Sequence, residues 1–437
     1  MMKRFFKIIL GLVVLGVIVV VGGIVTMPSR NYDSSQFASK GSDRKDDSEL
    51  KASILRGQYV ALTADCVACH QTKDHKADLS GGFGVETPFG MLYASNITPD
   101  KETGIGNWTE AQFADAVRNG KGPNGPLYPA MPYTSYVKMS DQDIHDLWNY
   151  LQTVTPVHNE VVENRLSFPF NIRFLMLGWK RLFFDASDIK VAKDQSPEWN
   201  RGRYLVQGAA HCSMCHTPRN AFGAEINSRR YTGATLQNWY APSLTGSKDE
   251  GLGNWDETSL VQYLKTGSNH VTVASGPMAE AVKASFQYFT DDDLKAMAIY
   301  IKSLPDHGAV KLQALSADNP QMVNGKRIFN DNCTACHVSN GTGVADMIPA
   351  FKGNNGIKGG SSESLTRVLL VGSQGAITRF NPTGASMPGF AWKFTNRQAA
   401  DVLTYIRNEW GNAAPAVSPD EVAKMRETLK ARKPLGE

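Results

Sequence analysis

Cys66-Val-Ala-Cys69-His70, Cys212-Ser-Met-Cys215-His216 and Cys333-Thr-Ala-Cys336-His337 hold all six cysteines of the chain, and their reading decides the fold. Two thiols three residues apart on a helical turn can add to the two vinyl groups of one haem. The adjacent histidine then lies beneath the iron as proximal ligand. A single C-x-x-C would equally suit a zinc knuckle or a redox dithiol. Chance yields one C-x-x-C-H from such a composition only on the order of 10⁻³ times per chain, and here there are three in matching contexts. The expectation is three covalent c-type haems, with His70, His216 and His337 as axial ligands. No cysteine remains for a disulfide.

Working outward, each motif sits in a repeated unit. A short helix opens it: Arg56-Gly-Gln-Tyr59, Arg201-Gly-Arg-Tyr204 and, more loosely, Gly325-Lys-Arg-Ile328. A Gly/Pro-bearing loop then carries one methionine in Tyr128-Pro-Ala-Met131-Pro, Ser275-Gly-Pro-Met278 and Ala385-Ser-Met387-Pro. Thioether ligation favours ferrous iron and raises the potential, so Met131, Met278 and Met387 are the expected sixth ligands. His270, in the same loop as Met278, is a rival. Met139, Met176, Met214, Met297 and Met347 read as packing residues. His75, His145, His158, His211 and His307 show no ligand spacing and read as surface or loop residues.

A closing helix ends each unit, beginning at Ser140-Asp-Gln-Asp143, Thr290-Asp-Asp-Asp293 and Thr395-Asn-Arg-Gln398. These pair a hydroxyl N-cap with acidic or amide residues in the first turn. Ile144, Leu147, Trp148 and Leu151 illustrate the helical spacing of apolar residues that follows. Units one and two also share Gly-Ile/Leu-Gly-Asn-Trp, and its Trp108 and Trp255 read as structural lids over haem edges rather than as electron relays. Unit three lacks that block. Arg56 and Arg201 suit haem propionates or plain capping and surface roles equally.

The chain's 437 residues suggest about three globular units. Loops this long are unusual in a bare domain, but a flat apolar haem supplies the core they wrap. The boundaries read as 1–28 anchor or signal, 29–50 polar linker, 51–157, 197–312 and 319–412 as the three units, 158–196 as an apolar connection, and 413–437 as a C-terminal tail. Within the connection, Ile172, Leu175, Met176, Trp179 and Phe183 share one helical face, and Arg173, Lys180 and Arg181 mark a wet edge. That helix is either buried between domains or docked on a partner subunit or membrane interface.

Lys3, Arg4 and Lys7 precede an apolar run from Ile8 to Met27 with no small-residue cleavage site. About 20 apolar residues span a bilayer, and the basic flank places the N-terminus inside. An uncleaved anchor is expected rather than a removed signal peptide, with residues from Asn31 exported in both cases. The formal charge is +4. Three haems would make it +1 oxidised and −2 reduced, and no basic block interleaved with aromatics points to nucleic acid.

These residues resemble the triheme cytochrome c subunits of membrane-bound bacterial dehydrogenases. The match covers residues 50–412 and includes Asn96-Ile-Thr-Pro-Asp100, Tyr128-Pro-Ala-Met131-Pro-Tyr-Thr-Ser-Tyr136, Phe168-Pro-Phe-Asn-Ile172, His216-Thr-Pro-Arg-Asn220 and Trp239-Tyr-Ala-Pro-Ser-Leu244. The resemblance implies an all-α fold of three tandem class I cytochrome c domains, here with an N-terminal transmembrane anchor where many members have a cleaved signal. It further implies electron transfer from a quinoprotein, flavoprotein or molybdenum-type catalytic subunit to membrane ubiquinone. No catalytic residue is expected in this chain, which lacks a strand-borne G-x-G-x-x-G, a quinoprotein propeller pattern and a molybdenum-type domain. The expected place is the cell inner membrane, single-pass, with the globular part in the periplasm. A cytochrome subunit of a terminal oxidase or other respiratory complex is the alternative. A haem peroxidase needs an open iron, which three methionine ligands would deny.

Overall fold

The computed structural model describes residues 27–37, 47–76, 78–306 and 312–431. Backbone contacts divide the chain into two compact units, Met1–Gly57 with Ser80–Lys190 and Gln58–Leu79 with Val191–Glu437. The helix Asp47–Thr63 is thus divided between them.

In the first unit, the helix Glu110–Asn119 starts at a capping box of Thr109 and Gln112, and the closing helix Asp141–Leu151 starts at Ser140, whose hydroxyl accepts from Asp143 N at 3.0 Å. Phe113, Val117, Tyr133, Val137, Met139, Ile144 and Leu151 bury their apolar faces. Met27–Phe37 is tied to this unit by Arg30, which donates to the Val137 carbonyl at 2.6 Å and pairs with Asp188 at 2.9 Å.

In the second unit the closing helices Asp291–Lys302 and Asn396–Asn408 cross the opening helices Pro197–Gln207 and Pro320–Asn332. Thr290 and Thr395 cap the closing pair, each accepting from the third residue on at 3.2 Å. The repeated glycine marks the crossing point. A Cβ on Gly202 would overlap the Ala296 carbonyl and Tyr300, and one on Gly325 the Asp401 carbonyl and Tyr405. Gly57 meets Asp146 and Tyr150 identically within the first unit. Two apolar clusters result, one around Leu205, Trp255, Phe289 and Met297, the other around Phe329, Leu369, Phe394 and Val402.

Three expectations need correction. The fold is not all-α: Gly84–Thr87, Gly90–Tyr93 and Arg165–Leu166 form an antiparallel sheet, and three further hairpins pair Lys121–Gly122 with Gly125–Pro126, Ala234–Leu236 with Trp239–Ala241, and Ser373–Gln374 with Ser386–Met387. Extended loop segments pair because their N–H and C=O groups need partners, and runs of two to four residues are too short to show a period-two pattern.

The single-pass inner-membrane localisation is also overturned. No helix of the described residues is long and apolar enough to cross a membrane. The longest, Asp47–Thr63, has 17 residues, against about 20 for a span. The expected anchor, 1–28, lies outside the described residues as far as position 26.

Finally, the connecting helix, Leu175–Phe183, buries Met176, Trp179 and Lys180, while Ile172, Phe174, Leu175 and Leu182 are exposed. Lys180 is no wet-edge marker. It donates to the Asn119 carbonyl and lies over the Tyr133 and Phe184 rings. The stretch 413–437 carries the helix Pro419–Ala431, whose Val422 and Met425 are buried in the third repeat's core.

Candidate functional site

In the second repeat the opening helix leads into Ser213–His216, placing Cys212 at that short helix's start. His216 Nδ1 lies 2.7 Å from the Pro242 carbonyl, which it meets as a donor. That contact fixes the ring and leaves Nε2 for a metal. Burial pushes the His216 pKa down, so the imidazole is neutral as ligation requires. Met278 opens the helix Pro277–Ala284 and packs, with Cys212, against one apolar cluster that also holds Tyr231 and Trp255. Burial raises the thiols of Cys212 to about 12 and Cys215 to about 11. Such thiols are poor nucleophiles and poor zinc ligands.

Within that cluster Tyr231 OH and Trp255 Nε1 are buried without a hydrogen-bond partner, as is the Nε of Arg230, whose Nη2 donates to Ser213 Oγ at 3.5 Å. The Arg230 guanidinium stands 5.3 Å from the centre of the Tyr231 ring. Each unmet buried donor costs about 1–3 kcal/mol, so three together point to an acceptor that belongs there. The carboxylates of a haem are such acceptors, and the apolar wall between Cys212 and Met278 suits its ring. The residues fit the group.

The third repeat is built similarly. His337 is buried, its Nδ1 is 3.3 Å from the Pro349 carbonyl, and its ring stacks on Phe351 at 4.3 Å. Met387 ends the strand Ser386–Met387 and, with Cys333, packs half-buried against the Phe329–Phe394 cluster. Burial raises the Cys333 thiol to about 11, while Cys336 is exposed.

In the first repeat the motif and its methionine lie in the two different compact units. The helix Cys66–His70 belongs to the second unit, where it packs on Pro277–Ala284, the helix that carries Met278. Burial pushes the Cys66 and Cys69 thiols up to about 12. It also raises the carboxyl of Asp65, with Glu280 adding to the effect. Met131 lies in the first unit, half-buried in a turn where its N–H donates to the Tyr128 carbonyl at 3.1 Å. Cysteines and methionine therefore share one core in repeats two and three, and fall in different compact units in repeat one.

His270, the rival ligand, stands exposed. His158 is a surface residue, and His307 lies outside the described residues. His145 instead bonds Glu110 at 2.6 Å and stacks on Phe37 at 4.2 Å, and burial pushes His211 down to about 4. Met139, Met176 and Met297 are buried packing residues, but Met347 is half exposed. Arg56 and Arg201 bind carboxylates rather than waiting for propionates: Arg56 Nε is 2.8 Å from Asp146, and Arg201 grips Asp293 with two bonds of 2.7 Å. Among the described residues no three His, Cys, Asp or Glu side chains gather as a zinc site would need. Arg230 and Tyr231 escaped the sequence reading because they sit in a loop without period or motif.

Comparison with known proteins agrees with this geometry. The cytochrome c family profile matches residues 54–155, 200–305 and 322–410. The chain is 38% identical to the cytochrome c subunit of the quinone alcohol dehydrogenase of Gluconobacter oxydans over 400 residues, 86% of this chain and 83% of that one. It is 36% identical to the gluconate 2-dehydrogenase cytochrome c subunit of Pantoea cypripedii, over 90% of this chain and 94% of that one. The fructose dehydrogenase cytochrome subunit of Gluconobacter japonicus is 35% identical, over 86% and 83%.

Proposed function

Because the chain belongs to the cytochrome c family, we propose that it carries three covalent haems and passes electrons from a separate dehydrogenase subunit to ubiquinone. It is an electron-transfer subunit and not itself the catalytic one. The observation that carries the reading is the second repeat, where Cys212 and Met278 pack on one apolar cluster, the Pro242 carbonyl holds His216, and Tyr231 and Trp255 of that cluster bury unmet hydrogen-bonding atoms. Bound haem supplies one-electron ferric–ferrous chemistry.

The protein's own residues do the rest. Cys66, Cys69, Cys212, Cys215, Cys333 and Cys336 hold the groups covalently in the units 51–157, 197–312 and 319–412. The Pro242 and Pro349 carbonyls orient His216 and His337. Met131, Met278 and Met387 supply thioethers that raise the potential and exclude other ligands. Arg230, Tyr231 and Trp255 donate to carboxylates in repeat two. The catalytic partner is a dehydrogenase of quinoprotein, flavoprotein or molybdenum type, in keeping with the alcohol, gluconate and fructose dehydrogenases that the related subunits serve.

Haem per chain, measured by pyridine haemochrome and intact mass, tests the count: three is expected, and one or two overturns it. Reduction of the purified chain by a co-purifying dehydrogenase with its substrate, followed by reoxidation with a soluble ubiquinone analogue, tests the direction of flow. Reoxidation by a terminal oxidase but not by quinone would overturn ubiquinone as the acceptor.

A further inference from the structure

The three methionine loops are supported in different ways. In repeat two Met278 is itself on a helix, Pro277–Ala284, and in repeat one Met131 is followed directly by the short helix Tyr133–Tyr136. In repeat three, Met387 is followed by Pro388–Thr395, which has no helix before the closing one begins at Asn396. The repeat also lacks the Gly-x-Gly-Asn-Trp block of the other two. An irregular stretch of this kind leaves backbone groups to be satisfied from outside.

One side chain satisfies two of them. Arg426, on the helix Pro419–Ala431, donates Nη1–H to the Ala391 carbonyl at 2.8 Å and Nε–H to Asn396 Oδ1 at 2.8 Å. Its Nη2 donates to the Phe394 carbonyl. The helix that carries it is fastened to the same core. Val422 and Met425 are buried in the cluster against which Met387, Phe390 and Cys333 pack. The run leading to it is stitched down by Gln321 to the Val417 carbonyl and Arg407 to the Pro415 carbonyl, both at 3.0 Å. From the other side, the Phe390 and Ala391 N–H groups meet the Leu369 and Leu370 carbonyls. The guanidinium fork matches three acceptors in a fixed geometry that a lysine could not reproduce.

We propose that Arg426 is a positioning residue for Met387, so that the C-terminal helix sets how firmly the third iron keeps its thioether. This rests on Met387 being that ligand. Released from the clamp, the Pro388–Thr395 segment gains freedom, and the methionine that starts it competes less well against an added ligand.

Imidazole is the probe, titrated into the oxidised three-haem protein and followed by loss of the thioether-to-iron charge-transfer band. In the native chain the three haems resist it. In Arg426→Ala, one third of the band is expected to be lost at an imidazole concentration at least about tenfold lower (about 1.4 kcal/mol), with the other two thirds unmoved. Arg426→Lys, which keeps charge and stem but one contact instead of three, should fall between and serves if the alanine variant folds poorly. Unchanged titrations in both variants overturn the proposal. Met387→Ala separates the two ideas: if it leaves the band whole, the ligand assignment fails. If it removes one third while both Arg426 variants titrate like the native chain, only the role of Arg426 fails.

Discussion

Gly202→Ala adds a single methyl group at the crossing of Pro197–Gln207 and Asp291–Lys302. That methyl would overlap the Ala296 backbone carbonyl and the Tyr300 Cβ, neither of which can rotate away. The helices must separate, and overpacking of a well-filled crossing costs about 1–3 kcal/mol. Overlap with backbone places it at the upper end, about 3 kcal/mol. Replacing glycine inside a helix returns about 1 kcal/mol, leaving a net loss of about 2 kcal/mol. For a unit of this size, 1 kcal/mol corresponds to about 2–4 °C, so the transition of the second unit should fall by about 4–8 °C. Gly178→Ala is the control. It is also inside a helix, Leu175–Phe183, but a Cβ there meets nothing within 4 Å. It should stabilise the first unit by about 0.5–1 kcal/mol. Differential scanning calorimetry of the haem-loaded protein reads both. A Gly202→Ala protein that melts with the native one would refute the close-crossing argument, and so would equal effects of the two substitutions.

Met131→Ala, Met278→Ala and Met387→Ala should each remove one third of the thioether charge-transfer band and lower one haem potential, and a variant with the full band excludes that methionine. Burial by itself would raise the Asp293 carboxyl, but hydrogen bonds from Arg201 and Tyr59 hold it below the usual range. Its stabilisation is therefore present above the ordinary carboxylate pKa near ~4 and is lost as pH falls through the lowered value. Arg201→Ala should cost about 1–2 kcal/mol at neutral pH, discounted for the half-exposed arginine, and the difference should vanish in acid melts; a constant difference would exclude the ion pair as its cause. Trp255→Phe keeps an aromatic ring facing Tyr263, 5.5 Å away in the native protein, and removes the unmet N–H together with the indole's second ring. It should lower the potential of the second haem alone by leaving a carboxylate less compensated. An unchanged redox titration would show that the indole donates to nothing there.

The attachment motifs and the helix caps were legible in the sequence because their chemistry is local. Two thiols and an imidazole within five residues form a motif visible without any tertiary contact, and Ser140, Thr290 and Thr395 accept from N–H groups three residues away. Apolar periodicity likewise located Ile144, Leu294 and Val402 in cores. Pairings between distant segments were not legible. The short hairpins form from stretches too brief to carry a period, and Lys180 is buried because the distant Asn119 carbonyl and Tyr133 ring, with the Phe184 ring of its own helix end, compensate its charge. Charge alone marks such a residue as exposed.

What the sequence determined by itself is therefore the family and its repetition: three C-x-x-C-H motifs, each inside a stretch that the cytochrome c profile matches. Tertiary structure decided the environment. It turned the repeated glycine from a positional marker into a helix-crossing point, committed Arg56 and Arg201 to Asp146 and Asp293, and buried Arg230 Nε, Tyr231 OH and Trp255 Nε1 without hydrogen-bond partners. It also folded the C-terminal stretch back onto the Met387 loop. The reason is physical: covalent attachment and capping act across a few bonds, whereas burial, charge compensation and unmet hydrogen bonds depend on segments such as those 50 and 92 residues apart coming into contact.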